Sequence, residues 1–408
     1  MKDSHNKPKL MKHCLFTLLL LISNAMAADW PQWRGPHRNG ISDEKAWLAK
    51  WPDDGPKVAW KASIGTGFSS FTIANGHVHT TGNAQNTDTI FCFDAATGKE
   101  LWKHSYPADL GDKYFEGGTT GTPTVDAGQV YQLSRWGDVF CLNAADGKVI
   151  WTKNVQKETN VRIPDWGFGG SVLVQGNLLI LNVGAAGMAL DKTNGDIVWK
   201  SADKDAGYST PLPITRGKEA LVLVSSGKTY AAVNVKTGAK VWEFEWATRY
   251  GVNAADPIVS GENIFISSGY NKGCALVKFG ASAPVWHSKE LKNQLASSVL
   301  VGGFLYGFDG DNGSSRSPLK CVELSTGALR WEGKDIGPGA LMVADGKLIV
   351  LSSKGELITA KATPTKFDII SRAQVLKGKC WTAPVLANGR IYCRNSTGDV
   401  VCLDVRAK

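Results

Sequence analysis

"CFDAATGKELW" (Cys92–Trp102) is one copy of a phrase that the chain writes repeatedly. Variants follow as "CLNAADGKVIW" (141–151), "ALDKTNGDIVW" (189–199), "AVNVKTGAKVW" (232–242) and "CVELSTGALRW" (321–331). Each joins a mostly small residue, a polar turn closing on Gly, and a β-prone run ending in Trp. Gly suits such a turn because it accepts positive φ at little cost. Trp60, Trp102, Trp151, Trp199, Trp242, Trp286 and Trp331 recur every 42 to 49 residues. Ten residues before the last six stand Cys92, Cys141, Ala189, Ala232, Leu276 and Cys321. Ala360, with Ile370 ten later, and Cys402 keep the slot without the Trp.

Upstream of each phrase lies a second Gly-rich turn, as in "ANGH" (74–77), "DAGQ" (126–129), "ADGK" (344–347) and "ANGR" (387–390). The flanking runs, such as "GRIYCR" and "KLIVLSS", are apolar and β-prone. Four short antiparallel strands in about 44 residues is the pattern of a β-propeller blade. Sets of three strands begin near 70, 122, 170, 209, 254, 297, 340 and 382, but fourth strands follow only seven of them. The missing one is "KVAWKAS" (57–63) at the other end of the chain. The fold class expected is therefore all-β: an eight-bladed β-propeller of four-stranded antiparallel blades, closed by the N-terminal strand completing the last blade. Closure also protects sheet edges that would otherwise be open. Each Trp is expected on its blade's outer strand, buried against the next blade, where an aromatic of that size hides roughly 150–250 Å².

The phrase "AxDxxTGxxxW" resembles the tryptophan-docking motif of the PQQ-like repeat family. That family includes quinoprotein dehydrogenases and the BamB-type propeller subunit of the outer-membrane β-barrel assembly machine. The resemblance covers about residues 57–405, and "DWPQWRGPHRNG" (29–40) is similar to the leader of secreted members. It is specific for the fold and says little about activity, because the motif reports blade packing. The dehydrogenases grip their quinone with a disulfide between adjacent cysteines and a calcium held by carboxylates and amides. This chain has no adjacent cysteines, and its only calcium-like run is "DGDNGS" (309–314) with Asp309 and Asp311, which lacks a calcium loop's spacing and closing Glu.

Outside the repeat, residues 1–27 read as an export signal: Lys2, Lys7, Lys9 and Lys12, the apolar run "LFTLLLLIS", and Ala25-Met26-Ala27 before a cut at Ala28. Met11 serves equally well as a start, and Cys14 opens the apolar run rather than following a cut, unlike a lipoprotein cysteine. The run is too short to span a bilayer. An exported protein, periplasmic or secreted, is expected, with no transmembrane segment. The formal charge of +9 falls to +6 without the signal, and the positive residues are scattered, which argues against nucleic acid. Segment 28–56 carries Trp30, Trp33, Trp47 and Trp51 and is expected to pack on the propeller as an irregular collar, or else to serve as a partner-binding arm. Residues 57–408 form the propeller.

Candidate chemistry is sparse. Seven cysteines remain after the signal, with no C-x-x-C, and those in the slot read as small hydrophobes. If "STGD" (396–399) closes a hairpin, Cys393 faces Cys402, and a disulfide could form there. "SSGKT" (225–229) lacks the first Gly of a phosphate loop and no helix follows. There is no Ser-His-Asp or H-E-x-x-H arrangement, the seven His are dispersed, and no metal ligands or catalytic residues are assigned.

The loops entering successive blades read "GTGFSS" (65–70), "KYFEGGTTGTP" (113–123), "IPDWGFGGS" (163–171), "AGYSTP" (206–211), "RYGVNAADP" (249–257) and "KCWTAP" (379–384). They place Phe68, Tyr114, Trp166, Tyr208, Tyr250 and Trp381 at one channel mouth. Arg135-Trp136 joins from the loop between second and third strands, with Arg162 and Arg249 near and Asp256 able to pair with Arg249 at the rim. Such a mouth suits a peptide, a sugar or a small organic ligand; the alternative is that these rings only pack the loops and plug the channel. The function expected is a non-catalytic scaffold that binds envelope proteins or peptides through the mouth, with no cofactor. The alternatives are a dehydrogenase using PQQ and calcium, and a carbohydrate-binding propeller that takes a saccharide.

Overall fold

In the computed structural model, eight four-stranded antiparallel sheets stand around one axis, nearly everything else being loop. It describes residue 1 and residues 29–204, 206–311, 314, 316–333 and 335–407. The expected export signal and cleavage point lie outside the described residues. Among the described residues, no helix is long and apolar enough to cross a membrane.

Blades one to seven run in chain order from Thr72, Thr124, Leu173, Leu212, Ile258, Val299 and Gly339. Blade eight takes three strands from residues 385–404 and its outer strand, Lys57–Ser63, from the N-terminal side, with Lys57 opposite Asp404 and Trp60 opposite Cys402. The seam is locked by Arg394, a wholly buried guanidinium that donates to the carbonyls of Ser69 (3.0 Å), Thr81 (2.7 Å) and Gly65 (3.2 Å) in and around blade one.

The repeated phrase works twice in this architecture. Each indole N–H reaches into the following blade and donates to a backbone carbonyl just past its third strand: Trp60 to Ala95, Trp102 to Ala144, Trp151 to Lys192, Trp199 to Val235, Trp242 to Ala281, Trp286 to Leu324 and Trp331 to Thr363. Five of those indoles lie on the glycine of the next blade's turn. A Cβ at Gly98 would stand 2.6 Å from Trp60, and one at Gly238 would stand 2.5 Å from Trp199. These glycines are therefore required twice, for their positive φ (72° and 67°) and for the ring that covers them. A register slip beside the tryptophan in most blades, which skips Leu101, Ile150, Val198 or Val241, turns the indole toward the next blade and leaves the skipped aliphatic exposed.

Blade seven carries Ile370 where the others carry Trp. The apolar cluster there includes Trp47, Ala49 and Trp51 of the N-terminal segment, packed with side chains of blades seven and eight. The Trp51 N–H donates to Ser371 Oγ, and Thr359 Oγ donates to the Ala49 carbonyl. The same segment contributes a short strand, Ile41–Ser42, which pairs in parallel with the inner strand of blade seven. Its path is thus ordered by strand pairing and by three buried tryptophans, Trp30, Trp47 and Trp51.

Cys393 and Cys402 do not face each other. The closing turn is one residue off the expected register, so Cys393 pairs with Val401 and Cys402 with Tyr392. A slip of one residue sends the two thiols to opposite faces of the sheet. All seven described cysteines are free and buried.

Candidate functional site: an aromatic cup on the propeller axis

Two residues before the first strand of each blade, the chain passes close to the axis. In blades one to six that position holds Ser70, Thr122, Ser171, Thr210, Asp256 and Ser297. The backbone N–H of each donates to the side-chain oxygen of the next: Ser70 to Thr122 (3.0 Å), Thr122 to Ser171 (3.0 Å), Ser171 to Thr210 (3.0 Å), Thr210 to Asp256 (2.8 Å) and Asp256 to Ser297 (2.8 Å). In blade eight the position is Ala383, whose carbonyl accepts from Ser70 Oγ (3.1 Å). This relay satisfies backbone groups that would otherwise be buried without partners.

Asp256 breaks the pattern of hydroxyls. Its buried carboxylate accepts from the Trp33 indole N–H (2.6 Å) and Ser297 Oγ (3.1 Å), and lies 3.8 Å from Arg34 Nε. Burial raises the carboxyl's affinity for a proton, and Arg34 opposes that shift. Arg34 is itself buried and donates to the carbonyls of Asn39 (3.0 Å) and Ser298 (2.8 Å). The segment from Trp30 to Ser42 therefore crosses the channel from blade one to blade seven and closes it on the side of the first hairpin turns.

What remains open is a cup of about 290 Å³ with Trp33 and Asp256 at its floor. Its wall includes Phe68, Tyr114, Phe115, Trp166, Tyr208, Tyr270 and Trp381, with Thr120, Thr122, Ser171, Thr210 and Thr382 lower down. The rings support one another: Phe68 stacks on Trp381 (5.5 Å) and contacts Phe115 (5.6 Å), and Trp166 contacts Tyr114 (5.6 Å) and Tyr208 (6.0 Å). Lys379 lies 4.3 Å over Trp381 from outside and pairs with Glu116. Among the described residues that line it, none is Lys, Arg or His.

A family model described as "Outer membrane protein assembly factor BamB" matches residues 86–333. The chain belongs to that family. No curated protein sequence matches it. Among solved structures, BamB from Moraxella catarrhalis aligns at 17% identity and a TM-score of 0.63, covering 86% of this chain and 100% of that one. The quinohemoprotein alcohol dehydrogenase from Comamonas testosteroni aligns at 12% identity and 0.70, covering 93% and 81%. A europium-containing methanol dehydrogenase aligns at 11% and 0.70, covering 90% and 89%. At these identities the likeness is one of fold.

Within this BamB-family propeller, the residues picked from sequence fall in two groups. Phe68, Tyr114, Trp166, Tyr208 and Trp381 line the cup together. Tyr250 stands outside it, half exposed, edge-on to the lining Tyr270 (4.9 Å), with Arg249 over its ring (5.2 Å). Arg135 is buried behind the wall rather than at the mouth. It donates to the carbonyls of Leu110 (3.0 Å) and Gly118 (3.4 Å) and lies over Phe115 and Trp136, bracing loop 109–118. Trp136 is held by the Asp109 carbonyl (2.7 Å) and does not line the cup. Asp256 pairs with Arg34, not with Arg249, because the carboxylate points to the axis. Arg162 lies 3.5 Å from Asp165 on the same loop.

Trp33, Phe115, Tyr270 and the floor role of Asp256 were missed. A signal for the floor existed: aligning the repeats on their first strands would have isolated Asp256 as the one acid in a column of hydroxyls. Trp33 had none, since it lies outside the repeat.

The fold neighbours raise the question of a quinone and calcium. Among the described residues, the cup's one lining carboxylate is already committed to Trp33, Ser297, Thr210 and Arg34, and no cation lines the wall to meet the carboxylates of pyrroloquinoline quinone. Asp309 is held by Lys292 and Lys320, both at 2.8 Å, and Asp311 Oδ1 accepts from the Tyr270 N–H. The residues present do not fit the cofactor.

Proposed function

We propose that this chain is a non-catalytic scaffold of the cell envelope that binds peptide segments of other envelope proteins in the aromatic cup. The observation that carries the reading is the cup's chemistry: a ring-lined wall without formal charge, hydroxyls below it, and one acid neutralised within the floor. Aromatic walls bury apolar side chains with little conformational cost, and threonine and serine oxygens accept backbone N–H groups. Membership of a family described as an assembly factor supports the same reading.

The test is capture from an envelope extract with the mature protein and with Trp166→Ala and Trp381→Ala. Wall aromatics at the centre of an interface carry about 2 kcal/mol or more each, so each variant should capture at least about tenfold less. Unchanged capture by both would remove the cup from consideration. Adding pyrroloquinoline quinone with calcium should give neither dye-linked alcohol oxidation nor a bound-quinone absorbance; either signal would favour the dehydrogenase reading. Retention on polysaccharide that depends on Trp166 would favour a saccharide instead.

A further inference from the structure

Blade one departs from its siblings at a place remote from the cup. In every blade the slot residue on the third strand faces a residue of the second. Tyr131 faces Cys141, Tyr306 faces Cys321 and Tyr392 faces Cys402, while Ile180 faces Ala189 and Leu223 faces Ala232. In blade one the pair is His79 and Cys92. His77, two residues back on the same strand, shares that face of the sheet. No other blade sets an imidazole at either position.

The donor atoms of His77, His79 and Cys92 all lie within 4.8 Å of one another. A tetrahedral shell with bonds of 2.0–2.3 Å needs separations of about 3.5 Å. The three donors therefore draw in by about an ångström as a cation binds. Cys92 and His79 are almost wholly buried, against Trp102 and the neighbouring blade. His79 Nδ1 is buried without a hydrogen-bond partner among the described residues, a costly arrangement for a polar atom.

We infer that His77, His79 and Cys92 form a binding site for a zinc-class divalent cation. Two imidazole nitrogens and one thiolate select a borderline-soft metal over calcium or magnesium, which prefer oxygen. The cation takes the place of the thiol proton, which leaves to solvent, and gives His79 Nδ1 the partner it lacks. The fourth position opens on the His77 side and takes a water. The site clips the second and third strands of blade one together, so a bound metal stabilises that blade. His77 and His79 form an H-x-H pair on the second strand, and Cys92 joins them from the third strand thirteen residues on, a distance at which sequence alone does not link them.

The test uses the full mature protein, stripped with a chelator and titrated with Co²⁺ and then Zn²⁺. One equivalent of Co²⁺ should bring a thiolate-to-cobalt charge-transfer band with the visible bands of tetrahedral cobalt, and Zn²⁺ should abolish both and raise the melting temperature. Cys92→Ala and His79→Tyr insert residues that other blades already carry at these places, so both should fold. Each should bind at least about 100-fold more weakly and lose the band. Should either misfold by circular dichroism, His77→Gln, which copies Gln129 of blade two, gives the same comparison from the half-exposed side. No band in the wild-type protein, or a band and thermal shift that persist in the variants, would overturn the site.

Discussion

At the rim of the propeller, seven tryptophans each reach into the following blade and donate to its backbone, and five of them cover the glycine of its turn. At the axis, six side chains pass one hydrogen bond apiece from blade to blade. Both rings follow the repeat, but their exceptions do different things. The rim's exception, Ile370, is made good by packing, with Trp47 and Trp51 filling the seam. The axis's exception, Asp256, introduces a charge that draws in Trp33 and Arg34 of the N-terminal segment beside its partners in the relay, Thr210 and Ser297. Regular positions hold the ring together; the irregular one decides which segment enters the channel and so what shape is left open.

The comparison breaks most visibly at the rim. Trp199→Ala should cost about 4 kcal/mol in denaturant unfolding, and an equal loss is expected from its mirror, Gly238→Val, which pushes a side chain into the same ring. A tolerated Gly238→Val would mean that the turn does not need the close approach.

Slightly smaller, at about 3 kcal/mol, is the loss expected from Asp256→Ala, which strands the buried Arg34 guanidinium. Trp33 fluorescence should shift to the red as the indole loses its acceptor and meets water. Unaltered emission would show that the carboxylate does not seat the segment.

Asp88 sharpens the contrast in a pH-dependent way. It is buried in blade one, where it accepts from Asn83 Nδ2 (2.7 Å) and the Tyr106 hydroxyl (3.4 Å), and burial holds its carboxyl up at about 6. A raised carboxyl favours the neutral form in the folded state. The associated stability is complete below about pH 4 and is lost as pH rises through about 6, about 3 kcal/mol in all. Asp88→Asn should flatten the stability profile across that window; an unchanged profile would assign the fall to other groups.

The smallest effect belongs to a regular link of the axis. Thr122→Val removes one acceptor from the relay and should cost about 1 kcal/mol. A loss as large as that of Asp256→Ala would erase the distinction between regular and exceptional positions.

The same distinction explains what could be read from the sequence. The rim was legible because its device is an eleven-residue phrase with a rare residue at its end, and closure followed from counting strands. The axis was not, because Ser or Thr at one position in five of the blades does not stand out from an ordinary background. The wall rings were found through their loops, but Arg135 was placed at the mouth because sequence gives a residue's loop and not its direction. Cys393 and Cys402 failed on one residue of register, the least error that reverses a strand's faces.

The binding role of the cup is tested most directly by photo-crosslinking in living cells, with a benzoylphenylalanine placed at Tyr114 or Trp381 on the wall and, for contrast, at Val198 or Val241 on the rim. Adducts with an envelope protein from the wall positions, and none from the rim, are expected. Adducts confined to the rim, or absent from both, would contradict a cup that receives a partner.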